Sequence, residues 1–419
     1  MAAMMERILV PGAVRQFATA MHDAAGSGHH VASPMGAWLL LALIGDSANG
    51  LARSTVERAL GMNASAAEEV ARHLLDTPHP ALALATAAWV HDEWRNDALA
   101  AWERRLPRSA ERGPIPTKRQ ADEWARQRTR GLIDRFPVDI QEYTRLVLST
   151  VLATTVTWAE PFELADAREL WPTDDPPVSQ VLRAVPKHQM FIATTSVGDV
   201  AVHAARSADG LMVVSVAAPP GVAHTEVMDA AYRIADALAN SPHRLRIRSL
   251  FDLPLGDHAQ WSITEEPVWT SEPDGREERF EALLPAWTAH THHDLLKSER
   301  LGFVDAARAF VAMLDQSVPG TKVEGAQSVV ATYSREGFSA GAVSALAFAP
   351  VGAPASSRSG VRRTATLRFA GPYAVVAVAI DQNWVPGAPI APSGWHGLPV
   401  FSAWVTEYIE PEPESEDAE

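Results

Sequence analysis

The chain has 419 residues, 47% of them apolar and 21% charged, with 36 Lys and Arg against 51 Asp and Glu for a formal charge of −15. That length supports one large core or two to three smaller ones, and the acidic balance argues against a nucleic-acid partner, which needs a basic face. Cysteine is absent, which excludes a disulfide framework, a thiolate nucleophile and a thiolate metal site.

The opening MAAMMERILVPGAVRQF lacks the basic-then-apolar layout of a secretion signal. No apolar run reaches the roughly 18–20 residues of a membrane helix. The expectation is a cytoplasmic protein with no membrane partner, export by another route being left open. Apolar residues at three- and four-residue spacing predict helices over 13–25, 36–48, 52–62 and 66–76. The Gly26–Gly28 stretch and Ser33-Pro34 mark a stop and a start between the first two. QADEWARQRTRGLIDRFP (120–137) predicts another helix, ended before Pro137.

Strands follow. TRLVLSTVLATTVTW (144–158), β-branched and apolar on both faces, predicts a central strand. Further strands are expected at 198–205, 210–219, 244–254, 278–287, 326–334, 363–371 and 373–381, with one more helix over 225–241. Helices first and strands later indicate an α+β class rather than alternating βαβ units. No long low-complexity linker divides the chain, so a single domain is expected over 1–409. The tail 410–419, EPEPESEDAE, has six acids in ten residues and reads as a solvated, disordered end.

Between two of the expected strands, 338–364 reads FSAGAVSALAFAPVGAPASSRSGVRRT, without a charge until Arg358. A connection this long is usually functional or disordered. Within it GFSAG matches the G-x-S-x-G of hydrolase nucleophile elbows, which would make Ser339 a nucleophile. An elbow needs an apolar strand running straight into its first glycine, and Ser-Arg-Glu separates VVATY from Gly337. Asp381 and His396 complete a Ser–Asp–His order that a tail of this length supplies cheaply, and no oxyanion-hole motif precedes it. In HTHHD (290–294), His290 and His292 share one side of a strand, but no third ligand follows at metal-site spacing. With no phosphate-binding glycine loop either, neither metal nor cofactor is expected.

Several stretches, in order along nearly the whole chain, resemble the serpin family. VASPMGAWLLLALIGDSANGLARSTVERALGM (31–62), TAAWV (86–90), WARQRTRGLI (124–133) and LVLSTVLATTVTWAEPFE (146–163) come first. LLPAW with DLLKSERLG, then AQSVVATYSREG, FAGPYAVVAVA and GLPVFSAWV follow. On these the chain is identified as a divergent, bacterial-type member. The resemblance implies a serpin fold: helices packed on a large central mixed β-sheet, with two further sheets and an exposed reactive loop. It implies suicide inhibition of a serine endopeptidase and not an enzyme. The protease cuts the loop, and the freed segment inserts into the central sheet as a new strand.

Under this resemblance Glu336, Gly337, Phe338, Ser339, Ala340, Gly341 and Ala342 form the loop hinge, and Ser339 is not a nucleophile. Small residues suit a segment that is exposed before the cut and buried after it. Counting forward from Gly337 puts the cut near Val351, for an elastase-like protease. Counting back from Phe369 puts it near Arg362, and Arg358, Arg362 and Arg363 would suit a trypsin-like one. The sheet-opening region maps to Ser33, Thr150, Trp158 and Gln327. Thr150 and Gln327 stand where the family generally has Asn and His, and Gly36 where a second Ser is common. Phe338 stands where inhibitory members usually carry a small residue, and overpacking there would cost about 1–3 kcal/mol. That departure motivates the alternative, a non-inhibitory serpin-fold protein whose loop is a substrate or a partner-binding element.

Overall fold

A computed structural model describes residues 2–141, 144, 146–313, 325–338, 358–382, 384–385, 388 and 391–412. The chain opens with α1 (Ala2–Ala25), β1 (His30–Ala32), α2 (Pro34–Gly45), α3 (Gly50–Leu60) and α4 (Ala64–Asp76). After β2 (Ala83–Val90), α5 (Asp97–Glu103), β3 (Glu111–Gly113) and α6 (Lys118–Arg128), strands dominate. These are β4 (Leu146–Ala153), β5 (Val156–Thr157), β6 (Glu163–Asp166), β7 (Gln180–Arg183), β8 (Gln189–Thr195), β9 (Gly198–Arg206) and β10 (Leu211–Ala217). Helix α7 (His224–Asn240) precedes β11 (Gly256–Asp257), β12 (Trp261–Thr270), β13 (Arg276–Leu284) and β14 (Trp287–Asp294). Helix α8 (Phe303–Met313) leads to β15 (Ala326–Tyr333), β16 (Gly337–Phe338), β17 (Arg358–Arg368), β18 (Tyr373–Ala379) and β19 (Pro399–Val405). This is the α+β class with several sheets. No helix among the described residues is long and apolar enough to cross a membrane.

The elements fall into two compact units, one of residues 1–154, 289–330 and 377–403, the other of 155–288, 331–376 and 404–419. In the first, α2 starts where Ser33-Pro34 predicts: Ser33 Oγ accepts the Gly36 N–H, and Pro34 fills a position that needs no donor. Every residue of α2 except Leu40 is buried, as befits a helix without a polar face. Strands β3, β2 and β4 form one sheet, with β2 and β4 antiparallel from Ala83↔Ala153 to Val90↔Leu146. Helix α6 packs on it through Ala121, Trp124 and Ala125, against Trp89, Val147 and Val151. The helix stops well short of the predicted Phe136. Thr129 Oγ1 donates to Ala125 O and accepts the Ile133 N–H, and Arg130 and Gly131 turn left-handed, which ends the ladder.

The second unit holds a six-stranded sheet in the order β11-β12-β17-β13-β7-β6 and an antiparallel run β8-β9-β10 covered by α7. Strand β10 is buried along its whole length, matching a sequence that is apolar but for Ser215. The strand expected at 244–254 is absent as a regular element. Pro242–Arg244 and Leu250–Asp252 are short 3-10 turns, the second capped by Ser249, and only Ile247 bridges to β8.

Among the described residues, strands in these stretches form the ladders β3-β2-β4 and β14-β15-β16-β5. The long strand read over 144–158 is broken at Thr154–Thr155 into β4 and β5. The neighbour of β15 on its far side from β14 is the short β16.

Candidate functional site at the loop hinge

After Tyr333 the chain makes a tight turn over Ser334–Gly337. Ser334 N–H and Oγ both donate to Gly337 O, at 3.0 Å each, and Gly337 N–H donates to Ser334 Oγ. Trp158 grips this turn twice: its backbone N–H donates to Glu336 O and its indole Nε1–H to Ser334 O, both at 3.0 Å. Phe162 N–H donates to Arg335 O at 3.1 Å, and Arg335 Nε returns a bond to Phe162 O at 3.2 Å. Arg335 also pairs with the carboxylate of Glu336 at 2.9 Å.

Gly337 and Phe338 then form β16, with Phe338 opposite Tyr333 on one side and Val156 on the other, and Gly337 opposite Thr157. Both residues are therefore paired in a sheet and buried. A Cβ on Gly337 would lie 2.2 Å from Val156 O, so the position admits only glycine. Phe338 is 3% exposed, its ring edge-on to Trp287 at 6.3 Å. Trp158, Phe162, Tyr333 and Trp287 continue the aromatic cluster with centroid separations of 5.1–5.9 Å, a range in which offset and edge-on rings attract. Burial pushes the Tyr333 phenol far above its ordinary range, so it stays neutral.

Phe162 also touches His188 and His203, at 4.7 and 5.3 Å. The two imidazoles meet at 3.0 Å, His188 Nδ1 to His203 Nε2, and His188 Nε2 lies 2.9 Å from Glu160 O. Burial lowers both pKa values, that of His203 well below the ordinary range, where His188 adds to the effect. Sequence reading missed this pair, because single histidines in apolar strands carry no local signal.

In the other unit Ser33, Thr150 and Gln327 come together at the start of α2. Ser33 N–H donates to Gln327 Oε1 at 3.1 Å, Gln327 Nε2 donates to Ser33 O at 2.9 Å, and Ser33 Oγ donates to Val400 O at 3.0 Å. Thr150 Oγ1 donates to Gly36 O at 2.8 Å. Thr150 and Gln327 thus act on the same helix start. A Cβ at Gly36 would stand 3.0 Å from Ser33 Oγ and 3.3 Å from Gln327 Nε2, so glycine here leaves room for the glutamine.

Arg358, Arg362 and Arg363 lie in β17, and Val351 falls outside the described residues, as do Ser339, Ala340, Gly341 and Ala342. Strand β17 starts five residues before the strand expected at 363. It pairs antiparallel with β12 from Arg358↔Thr270 to Leu367↔Trp261, and parallel with β13 from Val361 onward. Arg362 binds Glu277 at 2.9 Å and Glu266 at 3.2 Å; these hydrogen bonds, that to Glu277 foremost, raise its pKa. Arg363 reaches Glu265 at 2.8 Å and the carbonyls of Leu250 and Leu253, with its guanidinium 4.8 Å over the Phe251 ring. A protease cleft takes up an extended, unpaired chain, so Arg362 and Arg363 as placed are not presented to one. Arg358 is exposed, but the residues after it are already in the ladder.

The hydrolase partners are engaged otherwise. Asp381 accepts Ser393 N–H and Oγ, at 2.6 and 2.7 Å, and gives its own N–H to His396 Nδ1 at 2.9 Å. A neutral imidazole accepting at Nδ1 carries its proton on Nε2, the wrong tautomer for a general base at that nitrogen. His290 and His292 point outward from β14, alternating with buried Ala289 and His293. Among the described residues no group of three or more His, Asp or Glu could hold a metal ion.

This combination of helices and sheets is the serpin fold. Residues 13–171 match the family model Serpin (serine protease inhibitor). Three solved structures illustrate the likeness. Serpin48 of the insect Tenebrio molitor, a highly specific serpin, is 14% identical with a TM-score of 0.59, covering 96% of this chain and 98% of its own. The thermophilic serpin Tengpin in its native state is 12% identical with a TM-score of 0.60, over 95% and 93%. Human thyroxine-binding globulin complexed with its hormone is 12% identical with a TM-score of 0.60, over 95% and 98%. Among curated proteins nothing matches.

Proposed function

We propose that the chain is a mechanical, non-catalytic inhibitor of a serine endopeptidase, acting by loop cleavage and strand insertion. The observation that carries this reading is β16: Gly337 and Phe338 already occupy a strand position between β15 and β5. The residues that follow would extend it. In strand geometry Ala340, Ala342 and Ser344 share the face of buried Phe338, and small side chains fit a closing gap without overpacking.

The cut is proposed upstream of β17, with Val351 the favoured candidate, because the later arginines sit in a paired strand. Val351 lies fourteen positions after Gly337, and at roughly 3.3 Å per position this stretch would span about 46 Å as a strand. A bond after Val351 suits an elastase-like protease. The test is one nick within 349–357 by such an enzyme, followed by thermal unfolding and electrophoresis under denaturing conditions. Inhibition predicts a covalent complex and a rise of the midpoint by tens of degrees.

The second reading, a non-inhibitory serpin-fold protein, draws on the same hinge. A buried aromatic at Phe338 anchors the base of the loop, and the neighbours include a thyroxine-binding globulin as well as a highly specific serpin. An unchanged midpoint after the nick would select it.

A further inference from the structure

The His188–His203 pair has a fixed proton arrangement. A carbonyl only accepts, so His188 Nε2, 2.9 Å from Glu160 O, carries a hydrogen. Neutral His188 then offers a bare Nδ1, and His203 Nε2 donates to it across 3.0 Å. That leaves His203 Nδ1 unprotonated, fully buried and, among the described residues, without a hydrogen-bond partner.

The surroundings offer little for a positive charge. Phe162 lies against both rings. Across the ladders His203 faces Met190 of β8 and Ser215 of β10. The hydroxyl of Tyr333, the next ring beyond Phe162, is neutral, as is that of Tyr373. The carboxylate that acts on the pair is Glu160, through His188, and it is ion-paired with Lys187. The charged neighbour acting on His203 is His188 itself.

We propose that this pair is an acid-triggered release for the hinge: a proton taken up by it displaces Phe162 and loosens the grip of Trp158 and Phe162 on Ser334–Glu336, freeing Gly337 and Phe338 from the ladder. An added proton has two places to go. On His203 Nδ1 it makes a buried, unmatched N–H. On His188 Nδ1 it sets two N–H groups against each other at 3.0 Å. The second drives the rings apart and the first leaves a charge that the apolar surroundings do not match, so in both cases the packing against Phe162, whose backbone binds Arg335 in both directions, is disturbed. Because burial lowers both pKa values, the pair is neutral at neutral pH and charges only below the ordinary histidine value of about 6.5. The hinge is therefore held at neutral pH and released on acidification.

That this turn is the hinge of an inserting loop rests on the proposed function, but the test reads the hinge directly. Hydrogen exchange of the full chain is followed in peptides covering 156–162 and 331–338, at about pH 7.5 and about pH 5, scaled for intrinsic rates. Wild type is expected to lose protection at 334–338 by roughly tenfold or more at the lower pH. His203→Phe, which keeps a buried ring that cannot titrate, is expected to hold its protection. Equal losses in both overturn the proposal. If His203→Phe fails to fold, histidine-labelled NMR of wild type replaces it. Protonation of His203 coinciding with loss of hinge protection supports the proposal; hinge opening with His203 still neutral, or protonation without opening, overturns it. A missing midpoint rise after loop cleavage would count against inhibition alone and leave this result standing.

Discussion

Gly337 carries the tightest steric demand in the hinge. An added methyl would sit 2.2 Å from Val156 O, a backbone atom that cannot swing aside. Gly337→Ala should therefore expel β16 from its ladder, and hydrogen exchange at 334–338 should rise; unchanged exchange would show that the pairing with β5 is not what holds this turn. Phe338 makes the complementary case, a ring already accommodated against Trp287. Phe338→Ala should lower the unfolding free energy of the uncut protein by about 3–5 kcal/mol, the usual cost of truncating a buried Phe, read as a lower urea midpoint. Neither demand was legible locally. Resemblance pointed to this position as a hinge, but Trp287 lies 51 residues before Phe338 and Val156 lies 181 before Gly337. Gly36 and Gln327 teach the same lesson: each departs from the family pattern alone, and only the fold brings them so close that a Cβ on Gly36 would stand 3.3 Å from Gln327 Nε2.

At the scale of elements, β17 decides where a protease can act. Arg362 and Arg363 are gripped from both flanking strands by Glu266, Glu277 and Glu265. Brief trypsin treatment should therefore leave the bonds after Arg362 and Arg363 intact, with any cut in this region at Arg358 or upstream. Mass spectrometry of the released C-terminal fragment gives the answer. A fragment starting at Arg363 or Thr364 would mean that β17 opens readily. The long connection was legible, since its loop composition is plain. Its end was not, because RSGV reads as loop until β12 pairs with it. Strand β12 itself escaped notice because WSITEEPVWT contains Pro267, which normally demotes a strand. The proline is tolerated because β11, on that side, pairs only as far as Ile263.

For the molecule as a whole, buried histidines set the acid limit. His79, His188, His203 and His293 all have lowered pKa values, burial being the largest cause in each. Above about pH 6.5 they are neutral folded or unfolded and cost nothing. As the pH falls below that value the unfolded chain takes up protons that the native chain refuses, so stability drops until the native values are reached. Each contributes up to about 1.4 kcal/mol per pH unit in that window. Glu68, raised mainly by burial, works in the opposite sense below its native value, and the Asp122 stabilisation is lost only below the ordinary aspartate range. The urea midpoint should therefore fall between about pH 6.5 and about pH 5; a flat profile would mean that these histidines titrate normally in the folded state. The α+β class and the run of helices before strands were readable from periodicity.

Strand β12 has one more consequence. It covers ten consecutive positions of β17, Arg358 to Leu367, while β13 covers the other side. Bare, that flank would be an open row of N–H and C=O groups, the kind of template on which a second molecule adds its own strand and starts an aggregate. A protein that works by adding strands to itself, as proposed above for this chain, has most to lose from such an edge. With β12 in place, the strand to which the loop returns has no side left to lend, and pairing there stays a private matter of one chain.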